Sequence, residues 1–132
     1  MLKLVTIGKT KEKYLREGIE EFIKRIKRFE KIEYLELNSL DNIKLENYYV
    51  IVLEVLGKEY SSEGLAEILK KTEKDIIFII GDEDGVKEEI KNKANLLLSL
   101  SRMTFTHEMA RLIFLEQLYR AITINKGMKY HK

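Results

Sequence analysis

Few side chains in this sequence are of types suited to metal binding or covalent chemistry. The chain has no cysteine and only two histidines, His107 and His131. It therefore has no thiolate nucleophile, and a structural zinc site is not expected. The absence of cysteine also suits a reducing compartment. The neighbouring acids Glu83 and Asp84 are best interpreted as part of a solvated turn, so metal or thiol chemistry is disfavoured.

Three segments that follow apolar runs are candidates for a ligand site: residues 56–60, 81–85 and 101–106. The first two contain glycine, which allows the backbone to approach a ligand closely, and the third, SRMTFT, combines hydroxyls with apolar surface. No GxGxxG motif follows the first apolar run and no phosphate-binding loop is present, which disfavours dinucleotide oxidoreductases and nucleotide hydrolases. Backbone acceptors and apolar walls would suit a nucleoside with a positively charged sulfonium better than a phosphate.

Apolar periodicity predicts strands that alternate with helices along a single domain of residues 1–132. The pattern predicts strands at residues 2–7, 32–37, 48–55, 75–80 and 94–100, with Gly57 and Lys58 ending the third. It predicts helices at residues 10–29, from Ser61 or Ser62 onward, 86–93 and 107–124, the last capped by Thr106. This order is typical of an α/β domain with a largely parallel sheet. Because ligands bind at the carboxyl ends of parallel strands, the three candidate loops should converge.

The last predicted helix is apolar on more than one side of its cylinder. A helix on the outside of a layered domain shows one apolar stripe, so a second stripe suggests a partner, most simply another copy of the chain. A helix sunk deep in its own subunit is the alternative. The apolar positions are Met109, Leu112, Ile113, Phe114, Leu115, Leu118, Tyr119 and Ile122.

The distribution of charge is more informative than the formal net charge of +2. After Glu116 no acidic residue follows, whereas Arg120, Lys126, Lys129 and Lys132 do. This end could attract phosphates, although a solvated lysine-rich tail is the simpler interpretation. The sequence has no apolar run long enough to span a bilayer, so we expect a soluble, cytoplasmic protein without a membrane partner.

Four segments resemble one known family. Residues 98–132, LSLSRMTFTHEMARLIFLEQLYRAITINKGMKYHK, resemble the C-terminal signature of the RlmH family, the 23S rRNA (pseudouridine-N3)-methyltransferases. Residues 53–62 (LEVLGKEYSS), 78–85 (FIIGDEDG) and 4–9 (LVTIGK) resemble further motifs of that family in the same order. The sequence departs from the family pattern, which has Asp, Gly, Pro and Pro respectively, at Glu54, Asp82, Thr106 and Lys129.

The resemblance implies a SPOUT-type α/β knot, in which a largely parallel sheet carries a C-terminal trefoil knot, in a homodimer. It implies S-adenosylmethionine as cofactor and a pseudouridine of 23S rRNA, within the ribosome, as target, with no metal. The residues that it implies for cofactor binding are Leu53, Gly81, Asp82, Leu100, Ser101, Arg102, Met103, Thr104 and Phe105.

The same resemblance implies catalytic roles for Arg120, Tyr130 and His131. Arg120 would stabilise an anion or a phosphate, His131 would accept or orient a proton, and Tyr130 would stack on the base or hydrogen-bond to it. The residues alone favour simpler interpretations: Arg120 pairs with Glu116 one turn earlier, and Tyr130 and His131 belong to a frayed terminus.

Two other functions remain open at this point. A non-catalytic ribosome- or RNA-binding protein of the same fold is suggested by Asp82, where the family has glycine. A different α/β enzyme, such as a nucleotide hydrolase, would need a phosphate loop or a metal cluster that the sequence lacks. Binding of S-adenosylmethionine separates the first of these from a methyltransferase.

Overall fold

A sheet of five parallel strands forms the centre of the molecule in a computed structural model that describes residues 1–132. The strand order is β2-β1-β4-β3-β5, and every neighbouring pair is parallel. The predicted parallel α/β sheet is therefore confirmed. The strands are β1 (Leu2–Ile7), β2 (Ile32–Leu37), β3 (Tyr48–Glu59), β4 (Asp75–Ile80) and β5 (Leu96–Ser99).

Both faces of the sheet are covered, which makes three layers. Along β4, Phe78 packs into one apolar cluster while Ile77 and Ile79 pack into the other, because successive side chains of a strand point to opposite faces. One face is covered by three helices and the other by a short helix and the connection at residues 38–47. The helices are α1 (Lys13–Ile26), α2 (Ser62–Lys71), α3 (Glu88–Lys91) and α4 (His107–Asn125).

Helix α1 begins three residues later than its apolar pattern predicted. The hydroxyl of Thr10 donates a 2.6 Å hydrogen bond to Oε2 of Glu36 and so does not cap the helix. The backbone amides of the two residues before Lys13 instead donate to Oε1 of Glu108, at 2.8 and 3.2 Å. A carboxylate from α4 thus fixes the segment that leads into α1.

Strand β3 does not end at Gly57, so that prediction was wrong. Leu53 and Lys58 both pair with Leu98 of β5, and the residues between them form a bulge. A Cβ atom at Gly57 would lie 2.5 Å from the carbonyl oxygen of Leu97. The glycine allows the two strands to approach closely and does not break the strand. Helix α3 and strand β5 are also shorter than predicted.

Helix α4 packs between α1 and α2 and buries two of its sides within its own subunit. Leu115 and Leu118 are fully buried in the core of the single chain. The interpretation of these two residues as a partner surface was therefore wrong, and the alternative of a helix sunk in its own subunit applies to them. Ile113 is only partly buried. The homodimer and the knot stay predictions.

Candidate functional site

Two of the three predicted loops, residues 81–85 and 101–106, converge on a cavity of about 210 Å³ at the carboxyl ends of β4 and β5, where residues 53–55 of β3 complete the lining. This is the edge at which open α/β sheets bind ligands. The prediction for residues 56–60 was wrong, because β3 continues to Glu59 and none of these residues lines the cavity. The structure brings together every residue predicted to bind a cofactor except Arg102. The lining includes Leu53, Gly81, Asp82, Leu100, Ser101, Met103, Thr104 and Phe105.

Arg102 points away from this cavity and braces the bulge of β3. Its Nη1 donates to the carbonyl oxygens of Val55 and of Gly57, the latter at 2.8 Å. Its Nε lies 3.4 Å from Oε1 of Glu59. Arg102 therefore holds the first loop in place from behind, and the structure does not place its side chain among the lining residues.

The second loop is a tight turn that accommodates Asp82 without strain. A Cβ atom at Gly81 would lie 2.4 Å from the carbonyl carbon of Gly85, and Gly85 has a φ of +80°, so the close approach requires the two glycines. Asp82 has no positive φ, and its Oδ1 accepts a 2.9 Å hydrogen bond from the amide of Asp84. The aspartate thus stabilises the turn where the family has glycine.

Carboxylates give the cavity a negative wall. Glu54, Asp82 and Glu83 are among its lining residues. Nζ of Lys91 lies 2.7 Å from Oε1 of Glu54, and this hydrogen bond lowers the pKa of Glu54 below its usual value. Glu54 therefore stays ionised at neutral pH, but Lys91 offsets its charge. The remaining negative charge comes from Asp82 and Glu83, and together with the apolar side chains it suits a ligand that carries a positive charge.

A second group of functional side chains lies at the other end of α4, and we call it the tail cluster: Arg120, Tyr130, His131 and the carboxylate of Glu116. Nη1 of Arg120 lies 3.1 Å from Nδ1 of His131. Arg120 Nη2 and the Tyr130 hydroxyl both donate to Oε2 of Glu116, each at 2.8 Å. The residues after α4 therefore fold back onto the helix and are not a frayed end, and the Arg120–Glu116 pair forms as well.

The hydrogen bonds of His131 determine where its proton lies. A guanidinium group only donates, so Nδ1 of His131 must accept from Arg120 and carries no proton. The proton is then on Nε2, which lies 3.2 Å from Oε2 of Glu63. Burial, and then the hydrogen bond to Glu116, raise the pKa of Tyr130. Tyr130 therefore remains a hydrogen-bond donor at neutral pH.

One buried cluster was missed by the sequence analysis. Arg111 is completely buried, and it donates to the carbonyl oxygen of Ile7 and the hydroxyl of Thr10, both at 2.7 Å. Its Nη1 also lies 3.3 Å from Oε2 of Glu36. The available signal was its helical spacing: Arg111 lies three, four and seven residues before Phe114 and its buried neighbours on the same face.

The cavity and the tail cluster lie far apart within one chain. His107 and Ala110, in the first part of α4, line the cavity, whereas Arg120 comes 13 and 10 residues later on the same helix. A rise of 1.5 Å per residue separates them by about 15 to 20 Å along the helix axis. The cavity and the predicted catalytic arginine of one chain therefore lie at different ends of α4.

The structure contains no group of three or more histidine, cysteine or acidic residues placed to hold a metal ion. No helix combines the length and apolar character needed to cross a membrane.

Comparison with known proteins determines the family. The family profile described as "Predicted SPOUT methyltransferase" matches residues 1–131. The chain belongs to the SPOUT methyltransferase family. The chain is 39% identical to the ribosomal RNA large subunit methyltransferase H of Caldicellulosiruptor saccharolyticus, with 100% of both chains covered. It is 38% identical to the Streptococcus gordonii protein of the same name, with 99% of both covered. The resemblance to the RlmH family is confirmed.

Solved structures of SPOUT proteins share the fold. A probable methylase family protein from Haemophilus influenzae matches with a TM-score of 0.65 at 11% identity, over 99% of this chain and 70% of that one. The SpoU methyltransferase AviRb from Streptomyces viridochromogenes, solved in complex with AdoMet, matches with a TM-score of 0.56 at 8% identity, over 98% of this chain and 59% of that one. At these identities the likeness shows the fold alone.

Proposed function

We propose that this SPOUT protein uses S-adenosylmethionine to methylate N3 of a pseudouridine in 23S rRNA, as a homodimer whose two subunits both contribute to each active site. The observation that carries the proposal is the likeness, over the full length of both chains, to relatives named ribosomal RNA large subunit methyltransferase H. The cavity and the tail cluster supply the groups that such a reaction needs.

The cavity fits the cofactor by its chemistry. The sulfonium of S-adenosylmethionine is positively charged, and the carboxylates of Asp82 and Glu83 would attract it. Leu53, Leu100 and Phe105 offer apolar surface to the adenosine. When bound, the cofactor supplies the methyl group that is transferred. Asp82 fits its turn without strain, so the structural reason for a non-catalytic relative is removed.

The separation of about 15 to 20 Å between the cavity and Arg120 within one chain supports a site shared between two subunits. In a two-fold dimer the same surfaces meet in both directions, so the tail cluster of each subunit could lie over the cavity of the other. Apolar side chains are exposed at this end of the sheet, with Leu56 at 84% and Met103 at 76% of full exposure. Such exposed apolar surface is typical of a protein interface.

The tail cluster could lower the cost of ionising the base. The imide N3 of pseudouridine has a pKa of about 9 to 10, so its deprotonation at neutral pH costs roughly 3 to 4 kcal/mol. Arg120 would stabilise the negative charge that develops on the imide oxygens. Nδ1 of His131, once Arg120 turns from it to the base, would accept the N3 proton. Tyr130 would stack on the base or hydrogen-bond to it.

The direct test is methyl transfer to ribosomes. Purified protein, S-adenosylmethionine with an isotopic label on its methyl group, and ribosomes from a strain that lacks this methylation are combined, and the modified nucleoside is identified by mass spectrometry. We expect label on N3 of a pseudouridine in 23S rRNA, lost in Arg120→Ala and retained in Lys71→Ala, which removes an exposed cation of α2. Ribosome binding without label at any protein concentration would favour the RNA-binding alternative instead.

A further inference from the structure

Two glutamates that no motif assigns hold the tail cluster together. Glu116 accepts hydrogen bonds from both Arg120 and Tyr130 on one oxygen, Oε2, each at 2.8 Å. The guanidinium carbon of Arg120 also lies 4.9 Å from the centre of the Tyr130 ring. One carboxylate oxygen therefore fixes the relative positions of two of the three predicted catalytic residues, and the third, His131, is reached through Arg120.

The other oxygen of Glu116 is fixed as well. Its Oε1 accepts a 3.0 Å hydrogen bond from the side-chain amide of Gln117. The amide oxygen of Gln117 in turn accepts a 2.6 Å hydrogen bond from the hydroxyl of Ser62, at the start of α2. The side chain of Glu116 is 24% exposed, so water competes for these bonds only in part. Side chains of α4 and α2 thus fix the position of Glu116, which in turn fixes the position of the tail.

Glu63 contacts His131, the third predicted catalytic residue. It lies in the first turn of α2, and a hydrogen bond from its own backbone amide, followed by that from His131, lowers its pKa. It is therefore an acceptor at neutral pH, and it favours the tautomer of His131 that has the proton on Nε2. Arg120 on the opposite side of the ring requires the same tautomer. Both neighbours leave Nδ1 as the basic atom.

We propose that Glu116 and Glu63 are positioning residues for methyl transfer: Glu116 holds Arg120 and Tyr130 in one arrangement, and Glu63 fixes the tautomer of His131 in which Nδ1 is free to accept a proton. The proposal rests on the proposed function. Neither glutamate contacts the base or the cofactor. Each acts by orienting a group that does, as a carboxylate orients the general base of a catalytic triad.

The first test compares rates. Glu116→Ala should lower the single-turnover rate of methyl transfer to ribosomes on the order of 100-fold, because small misplacements of catalytic groups have effects of this size. Glu116→Gln, which keeps one acceptor oxygen, should recover about 10-fold of that loss, and Glu63→Ala should lose about 10-fold. Affinity for S-adenosylmethionine should be unchanged in all three variants.

The matched control lies on the same helix as Glu63. Glu67 is one turn further along α2 and pairs with the exposed Lys71 at 3.4 Å, away from the tail. Glu67→Ala should keep the wild-type rate. Thermal unfolding of each variant shows whether it is folded, and the near-isosteric Glu116→Gln keeps the comparison valid if Glu116→Ala does not fold.

The second test reads the tautomer directly. The chain has only two histidines, so ring ¹⁵N chemical shifts can be assigned to His131 with a His107→Gln variant. We expect the proton on Nε2 in the wild-type chain. Because Arg120 requires the same tautomer, the effect of Glu63 is measured in an Arg120→Ala background, in which Glu63→Ala should give a mixture of the two tautomers and Glu67→Ala should not. A purely structural role for Glu63 would leave the tautomer unchanged.

The outcomes separate this inference from the proposed function. A wild-type protein that does not methylate ribosomes would reject both. If the wild-type protein is active, and the Glu116→Ala and Glu63→Ala variants are folded and transfer methyl groups at the wild-type rate, the positioning roles are rejected. The proposed function then still stands. A His131 ring that carries its proton on Nδ1 in the wild-type protein would also reject the role of Glu63.

Discussion

Two arginines on α4 are placed in similar surroundings and are suited to different tasks. Arg111 and Arg120 lie nine residues apart on the helix, and each contacts a glutamate whose carboxylate also accepts a hydrogen bond from a tyrosine: Glu36 with Tyr34, and Glu116 with Tyr130. Arg111 is completely buried, whereas the side chain of Arg120 is 24% exposed. The difference in exposure separates a structural cluster from one that a substrate could reach.

The partners of the two arginines reinforce that difference. Arg111 contacts the ends of β1 and β2 and the segment before α1, all of which belong to the protein core. Arg120 contacts its own helix and a histidine near the end of the chain, which can exchange partners at little cost. A buried arginine with fixed acceptors is expensive to disturb, whereas a half-exposed one can transfer its hydrogen bonds to a ligand.

The largest expected effect on stability follows from removing Arg111. Arg111→Met should lower the free energy of unfolding by about 3–5 kcal/mol, because Glu36 and the carbonyl of Ile7 lose a buried partner. Arg120→Met should cost at most about 1 kcal/mol. Urea unfolding of both variants at one protein concentration measures the difference. Equal losses would contradict the distinction between the two clusters, and Arg111→Met combined with Glu36→Leu should recover part of the loss.

The largest expected effect on activity follows from removing the tail. Deletion of residues 129–132 should lower methyl transfer at least ~100-fold, the lower end for loss of an acid–base group, while unfolding and affinity for S-adenosylmethionine stay nearly unchanged. In His131→Gln, raising the pH should restore much of the lost rate, because the imide then ionises without a base. Full activity after the deletion would show that the contacts of the tail cluster have no part in the reaction.

The cavity offers a third test, at the start of α4 rather than its end. Thr104→Trp should weaken binding of S-adenosylmethionine by about 10- to 100-fold, the affinity equivalent of about 1–3 kcal/mol of overpacking. Lys93→Trp, at an exposed position outside this cavity, is the control. Isothermal titration calorimetry on the protein alone gives both dissociation constants. An unchanged constant for Thr104→Trp would place the cofactor elsewhere.

The smallest expected effect is the pH dependence of the Arg111 cluster. Burial would raise the pKa of Glu36, but hydrogen bonds from Thr10 and Tyr34 and the charge of Arg111 together hold it below its usual value. A depressed pKa contributes stability that is present above the unfolded-state value of about 4.3 and is lost as the pH falls through the folded-state pKa. Glu36→Gln should remove this contribution and so flatten the fall in unfolding temperature below about pH 4.

Local sequence patterns predicted the fold where the determinants were local. Strands β1, β2 and β4 have the predicted bounds, because each is an apolar run between polar or glycine residues. The start of α1 was not predictable, since the segment before it is held by Glu108, almost 100 residues away. In the sequence, Gly57 predicts the end of a strand. Its actual role, a close approach to the backbone of Leu97 on β5, depends on a neighbouring strand that the local sequence does not show.

The site was predictable in part. The loops after β4 and β5 indicated the cavity, since the carboxyl ends of parallel strands meet at one edge. Residues 56–60 were wrongly included, because the bulge that extends β3 through them has no local signal. The tail cluster came from family resemblance alone, because a terminal Tyr-His pair has no local pattern of its own. Arg111 was missed because an arginine within an apolar stripe is read as solvated when its acceptors lie on distant strands.

The central claim, that each site combines the cavity of one subunit with the tail cluster of the other, is tested most directly by complementation. The tail deletion and Thr104→Trp variants, co-expressed with different affinity tags and purified as mixed dimers, are each expected to be inactive alone. In the mixed dimer, the intact tail of the Thr104→Trp subunit would serve the intact cavity of the other. The purified mixed dimer should then regain about half of the wild-type rate, because one of its two sites is complete. A mixed dimer as inactive as its parents would contradict the shared site.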